Sequence, residues 1–229
     1  MANVLGVLEM DQIEVKSIVP KFISFYEKAS ERKLNDEELF DLWKEHYNFA
    51  AVPPTEEGEI LKKQLLLEAW DKYEQNIDYI KSWVPDQQNV QSYLSQVKSL
   101  LGCNDPINVV VIYFVGAFDE NAFVAPYDEQ RLALCLPIEN GHSDITLCHE
   151  LTHIVHAKTA KIQSDWERTV ATLMIQEGLA THVSKVLVPG KDDRLYIEHK
   201  VGWLQSCQNK KEDILRGIYP YLDESSSET

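Results

Sequence analysis

From Ile107 to Val115 the chain reads Ile-Asn-Val-Val-Val-Ile-Tyr-Phe-Val, an almost unbroken run of β-branched and aromatic residues. Such a run reads as a strand buried on both faces, because alternation with polar residues would otherwise mark a wet side. Two shorter extended stretches follow, Asn121 to Ala125 and Arg131 to Leu136, divided by turn-forming residues that include Pro126 and Asp128. They predict a small antiparallel or mixed sheet, arranged as a meander over residues 107–137. Everything around it has helical periodicity: Ile13 to Ala29, Glu37 to Tyr47, Glu59 to about Ile80, and Val90 to Leu101 with its stop at Gly102 and Pro106. After the loop Pro137 to His142 come two strongly periodic segments, Ser143 to Ala157 and Asp165 to Leu187, the second broken by Val188-Pro189-Gly190. The fold class implied is α+β. Residues 1–102 form a helical N-terminal region, and residues 103–229 form a core with the sheet, the two helices, a helical C-terminal part and a frayed tail from Glu224 to Thr229.

A chain of 229 residues can bury a core without staples. The aromatic residues of the first region, Phe22, Phe25, Trp43, Tyr47 and Tyr73 among them, read as that core. The four cysteines, Cys103, Cys135, Cys148 and Cys207, are scattered with no C-x-x-C pair and read as reduced packing residues. Lys plus Arg number 22 against 37 Asp plus Glu, a net charge of −15 that repels phosphate backbones and anionic headgroups, which argues against nucleic acid and membrane as partners. Cationic peptides would suit that field, although a plain solvated exterior needs no partner. The segment from Met1 to Met10 has no basic start, no unbroken apolar stretch and no small-residue cleavage site, and no apolar run approaches the length of a bilayer span. The expectation is a cytoplasmic protein.

Residues 149 to 153 read His-Glu-Leu-Thr-His, the pattern H-E-x-x-H. On a helix, a spacing of four residues puts both imidazoles on one face, close enough to hold one ion. Imidazole nitrogens suit zinc, and Glu150 stands one residue round from the first histidine, placed to act on water rather than as a ligand. With 7 histidines among 229 residues, an accidental match is expected in about one such chain in fifty. Ile145, Leu147, Leu151, Ile154 and Val155 supply an apolar face, and Ser143 or Asp144 can cap the helix. The competing reading is a pair of ordinary core or surface histidines.

A catalytic zinc site needs a third protein ligand from another element and one open position. Glu177 lies in Gln176-Glu177-Gly178-Leu179-Ala180 within the second helix, where Val170, Leu173, Met174, Val183 and Val186 read as the buried side. Its carboxylate then emerges from the face that packs inward, and a charge there needs a partner. Gly178 would let the two helices approach closely, at a cost of about 1 kcal/mol for a mid-helix glycine.

The motif from His149 to His153, followed by Glu177-Gly178-Leu179-Ala180, resembles the gluzincin group of zinc metallopeptidases, and especially bacterial families described as predicted zinc-dependent proteases. The likeness covers about residues 107–187. It implies a zincin-like fold with the two helices antiparallel under a small sheet and a substrate cleft between lobes. It further implies Zn2+ held by His149, His153 and Glu177, water activated by Glu150, and a peptide or protein as substrate. Asn121-Ala122-Phe123 is similar to an edge-strand segment of thermolysin-like enzymes that pairs with the substrate backbone, which marks Asn121 and Ala122 as substrate-binding.

Two features depart from that pattern. Four residues after the glutamate, relatives often carry an aspartate that orients a ligating histidine, and this chain has Thr181. Relatives also place a Tyr or His beyond the second helix to stabilise the oxyanion; His182, Tyr196, His199, Tyr219 and Tyr221 are candidates without a choice among them. His156 follows His149 by seven residues, about 10 Å along the axis, too far to share the ion with both histidines. Two rival functions remain at this level: a zinc hydrolase of a non-peptide substrate, and a non-catalytic helical interaction protein with a decayed or structural metal site.

Overall fold

A computed structural model of the chain describes residues 10–53, 55–119, 121–139, 144–161, 168–197 and 200–225. The chain divides into two compact units that interleave along the sequence: Met1–Asn89 with Pro106–Ser143, and Val90–Asp105 with Asp144–Thr229. The architecture is α+β. The sheet falls in the same unit as the N-terminal helices, so the boundary expected at residue 102 does not separate helices from sheet.

In the first unit the strands are β1 (Gln12–Ser17), β2 (Asn108–Phe114), β3 (Phe123–Pro126) and β4 (Leu132–Pro137), and the helices are α1 (Val19–Ser30), α2 (Asp36–His46) and α3 (Glu56–Ser82). The sheet order is β1-β2-β4-β3. Strand β2 is paired in parallel on both sides, Val15↔Val111 with β1 and Val111↔Leu134 with β4, while β3 pairs antiparallel with β4. Val109, Val110 and Val111 are buried in succession, as a strand covered on both faces requires. Two expectations are corrected here. Gln12–Ser17 is a strand and not the start of a helix, and the sheet is mixed with β4 beside β2, so it is no meander.

Helix α1 packs on α2, α3 and β2. Phe22 sits at the centre, its ring edge-on to Phe25, Tyr47 and Tyr73. Asn35 and Glu38 cap α2 reciprocally, and Thr55 caps α3. Gly58 is required where it stands, because a Cβ there would lie 1.8 Å from the Pro53 carbonyl oxygen. Where β2 and β4 end, side chains take over their backbone pairing. Tyr47 Oη donates to Val115 O and accepts from Val115 N, both at 2.8 Å. Tyr73 Oη donates to Gly116 O at 2.6 Å, and the Glu139 carboxylate accepts from Gly116 N at 2.9 Å and Phe118 N at 3.1 Å.

In the second unit the helices are α4 (Gln87–Leu101, from Val90 onward), α5 (Asp144–Ala160), α6 (Val170–Leu187), α7 (Arg194–Ile197), α8 (Trp203–Asn209) and α9 (Lys211–Ile218), followed by a 3₁₀ turn Tyr219–Tyr221. Helix α5 is buried almost all round: Leu147, Cys148, Glu150, Leu151, Thr152, Ile154 and Val155 are all inside. Helix α6 buries only Gln176, Ala180, Val183 and Ser184. It starts at Val170 behind its N-cap Thr169, later than the expected Asp165, which itself lies outside the described residues. Its first two amides are anchored by the C-terminal segment, Val170 N donating to Glu224 O and Ala171 N to Leu222 O, both at 2.9 Å. Glu224 is therefore tied down where the sequence suggested fraying. No helix among the described residues is long and apolar enough to cross a membrane.

Candidate metal centre

The motif segment is helical, with Asp144 in its first turn where the helix dipole favours an acid; Ser143, the other proposed cap, lies outside the described residues. Helical spacing brings the rings of His149 and His153 to 4.8 Å between centroids, edge to face. The third member comes from α6, which runs antiparallel to α5. At one end Ser184 Oγ donates to Ile145 O at 3.2 Å. At the other, Glu177 spans both rings: Oε2 lies 3.1 Å from His149 Nε2, and Oε1 lies 3.5 Å from His153 Nε2.

A side-chain oxygen of α6 can touch a backbone carbonyl of α5 only where the helices come close. The buried residues of α6 that follow Glu177 on this side are small, Ala180 and Ser184. Gly178, expected to permit the approach, is not on this seam. A Cβ built there meets nothing within 4 Å. The expected buried face of α6 is corrected as well, since Leu173, Met174 and Val186 are 41%, 43% and 45% exposed. The Glu177 side chain is 55% exposed and stands at the border of the seam, not in the middle of a buried stripe.

His149, His153 and Glu177 each offer one ligand atom, and these atoms lie within 4.8 Å of one another. A tetrahedral zinc with ligands at 2.0–2.1 Å sets its ligand atoms about 3.3 Å apart, so the three, within 4.8 Å of one another, would draw closer around an ion, with one Glu177 oxygen serving both histidines. Two imidazoles and a carboxylate suit a borderline-soft cation, so donor set and spacing fit zinc.

The electrostatics divide the two glutamates. Hydrogen bonds to His149 and then His153 hold the Glu177 carboxyl well below the usual range, against some opposition from burial. Burial pushes Glu150 the other way, up to about 7, although His153 and His149 pull it down. For His149, burial works against the charged ring, but the bond to Glu177 and the charges of Glu150 and Glu177 outweigh it, and its pKa is raised. Glu177 thus carries charge toward the rings, while Glu150, nearly enclosed on α5, is poised to exchange a proton near neutrality.

The remaining sequence candidates fall outside this cluster. Asn121 and Ala122 precede β3, an edge of the sheet in the first unit; the Asn121 side chain donates to Ala51 O at 3.3 Å. Among the described residues no hydrogen bond reaches Nδ1 of either ligand histidine, and Thr181 does not replace the aspartate expected there. Tyr196 is buried and its hydroxyl is taken by Val188 O. His182, Tyr219 and Tyr221 are exposed, and His199 lies outside the described residues. His156 is half-buried and apart from the three ligand atoms, as helix rise requires. Cys148 is buried, its thiol pushed up to about 12 by burial, which suits packing and not ligation. The sequence reading missed the small residues that set the helix approach, although Ala180 and Ser184 at a spacing of four were their signal. It also missed the carbonyls of Leu222 and Glu224 that fasten α6; no local pattern marks them.

No protein-family model matches the chain, and no curated protein or solved structure is significantly similar to it.

Proposed function

We propose that the chain is a zinc-dependent hydrolase of the gluzincin type, with a zincin-like arrangement of its helix pair and a peptide as substrate. The observation that carries this reading is the convergence of His149, His153 and Glu177 from two helices, with Glu150 buried beside them and displaced toward a neutral pKa. A zinc ion held by those three side chains would supply Lewis acidity, making water a stronger acid and polarising a carbonyl. Glu150 is the proton carrier. It takes a proton from the attacking water and delivers it to the leaving amine.

Glu150→Gln keeps size and shape and removes the base. In zinc-loaded protein assayed on a random peptide library by mass spectrometry, it should lower turnover by about 10² to 10⁴ and leave zinc stoichiometry unchanged. His153→Ala should lose both zinc and turnover. Wild-type rates in Glu150→Gln would leave a structural metal site and turn the reading toward an interaction protein.

A further inference from the structure

We infer that the exposed turn of α6 before Glu177 is an apolar subsite beside the metal centre, so that the substrate is held there by an aliphatic or aromatic side chain next to the bond that is cut. The inference rests on the hydrolase reading above and names the substrate side chain that this same site selects. Leu173 and Met174 precede Glu177 by four and three residues and so share its face of the helix. Helical side chains lean toward the N-terminus, which lays the Glu177 carboxylate over the very turn that carries these two residues. That carboxylate reaches both His149 and His153. Leu173 and Met174 are therefore the exposed apolar residues of α6 on the face that carries the Glu177 carboxylate.

These two residues are not part of the core. Their exposures, 41% and 43%, leave a broad apolar surface open within one helical turn of the ligand carboxylate. The chemistry of the wall is uniform: from Val170 to Ser184 the only Asp, Glu, Lys or Arg on α6 is Glu177 itself. An anionic substrate side chain would find no counter-ion on this helix and a cationic one only the metal-binding Glu177, whereas an aliphatic one covers exposed Leu and Met.

The test uses the full zinc-loaded chain and three hydroxamates, which anchor on the metal and differ only in what they extend from it: acetohydroxamate, hexanohydroxamate and 6-aminohexanohydroxamate. Calorimetric titration should show hexanohydroxamate binding tighter than acetohydroxamate by about tenfold or more, below the roughly two-hundred-fold that full burial of four methylenes would give. The terminal ammonium should remove most of that gain. In the double variant Leu173→Ser/Met174→Ser the two uncharged hydroxamates should bind within about twofold of each other, while Met174→Leu should keep the gain. Sedimentation of the same samples covers the other occupant: a wild-type dimer that becomes monomeric in the double variant would make this face a contact between copies and overturn the subsite. Equal binding of all three ligands to wild type, or a gain that survives in the double variant, would also overturn it. If zinc or acetohydroxamate fails to bind wild type, the metal centre falls and the subsite falls with it. That result is distinct from an anchored ligand that ignores chain length.

Discussion

Helices α5 and α6 supply the same centre in different ways. Both are rich in apolar residues and both read from sequence as strongly periodic, yet α5 is enclosed on nearly every side while α6 buries a narrow seam and leaves Leu173, Met174 and Ile175 in solvent. The two histidines are consequently fixed by packing of the helix that carries them. Glu177 depends instead on a seam of small residues and on an N-terminus fastened by Leu222 and Glu224. One half of the cluster is preorganised by a core, and the other is positioned at the edge of one.

The largest effect should follow from cutting into the enclosed helix. Leu151→Ala removes a fully buried side chain and should cost about 2–5 kcal/mol in urea unfolding, whereas Ile175→Ala, at 64% exposure on α6, should stay within about 0.5 kcal/mol. Equal losses at the two positions would erase the contrast. Next comes the seam. Ala180→Leu overfills a position with no exposed surface, and should cost about 1–3 kcal/mol and weaken zinc binding by separating Glu177 from the histidines. Retained zinc affinity would show that Glu177 does not depend on that approach. Gly178→Ala sharpens the point from the other side. Because its Cβ would meet nothing within 4 Å, it should stabilise the chain by about 0.5–1 kcal/mol with zinc affinity intact. A loss of both would restore Gly178 to the seam.

The smallest effect is a difference in sign between two carboxylates. Burial, the largest influence, holds Glu139 above its ordinary 4.5, so its ionisation weighs on the folded state as pH rises through the folded value and is relieved in acid. Glu177 is depressed, so its contribution is present above about pH 4.5 and lost as pH falls below it; its half-exposed position keeps the effect small. With chelator present, the stability of Glu139→Gln relative to wild type should rise with pH, and that of Glu177→Gln should fall. Parallel pH profiles for the two variants would contradict the assignment.

The parts of this arrangement that the sequence made legible are those written in contiguous residues. Strand β2 announces itself because its valines are buried without alternation, and the His149 to His153 spacing needs only a helix to bring the two rings together. Glu177 was legible through its neighbours Gly178 to Ala180, although the reason offered for its orientation was wrong. Helix α6 carries apolar residues all round, so periodicity could not tell the seam of Ala180 and Ser184 from the exposed Leu173 and Met174. Strand β1 was hidden because Val15, Ile18 and Phe22 continue the helical period of the segment that follows, which outweighs the single alternation of Ile13 and Val15. Its identity is settled by pairing with β2, Gln12 against Asn108, far along the chain. The same distance concealed the parallel placement of β4 beside β2.

The central claim is that three side chains from two helices make one metal centre. It is tested most directly by zinc X-ray absorption on protein titrated to one equivalent, with Glu177→Ala alongside. The account predicts, in wild type, two imidazole nitrogens and at least one oxygen at about 2.0–2.2 Å, and in the variant both histidine nitrogens with a weakened affinity. An unchanged coordination sphere and affinity in Glu177→Ala, or a wild-type spectrum without paired imidazoles, would contradict it.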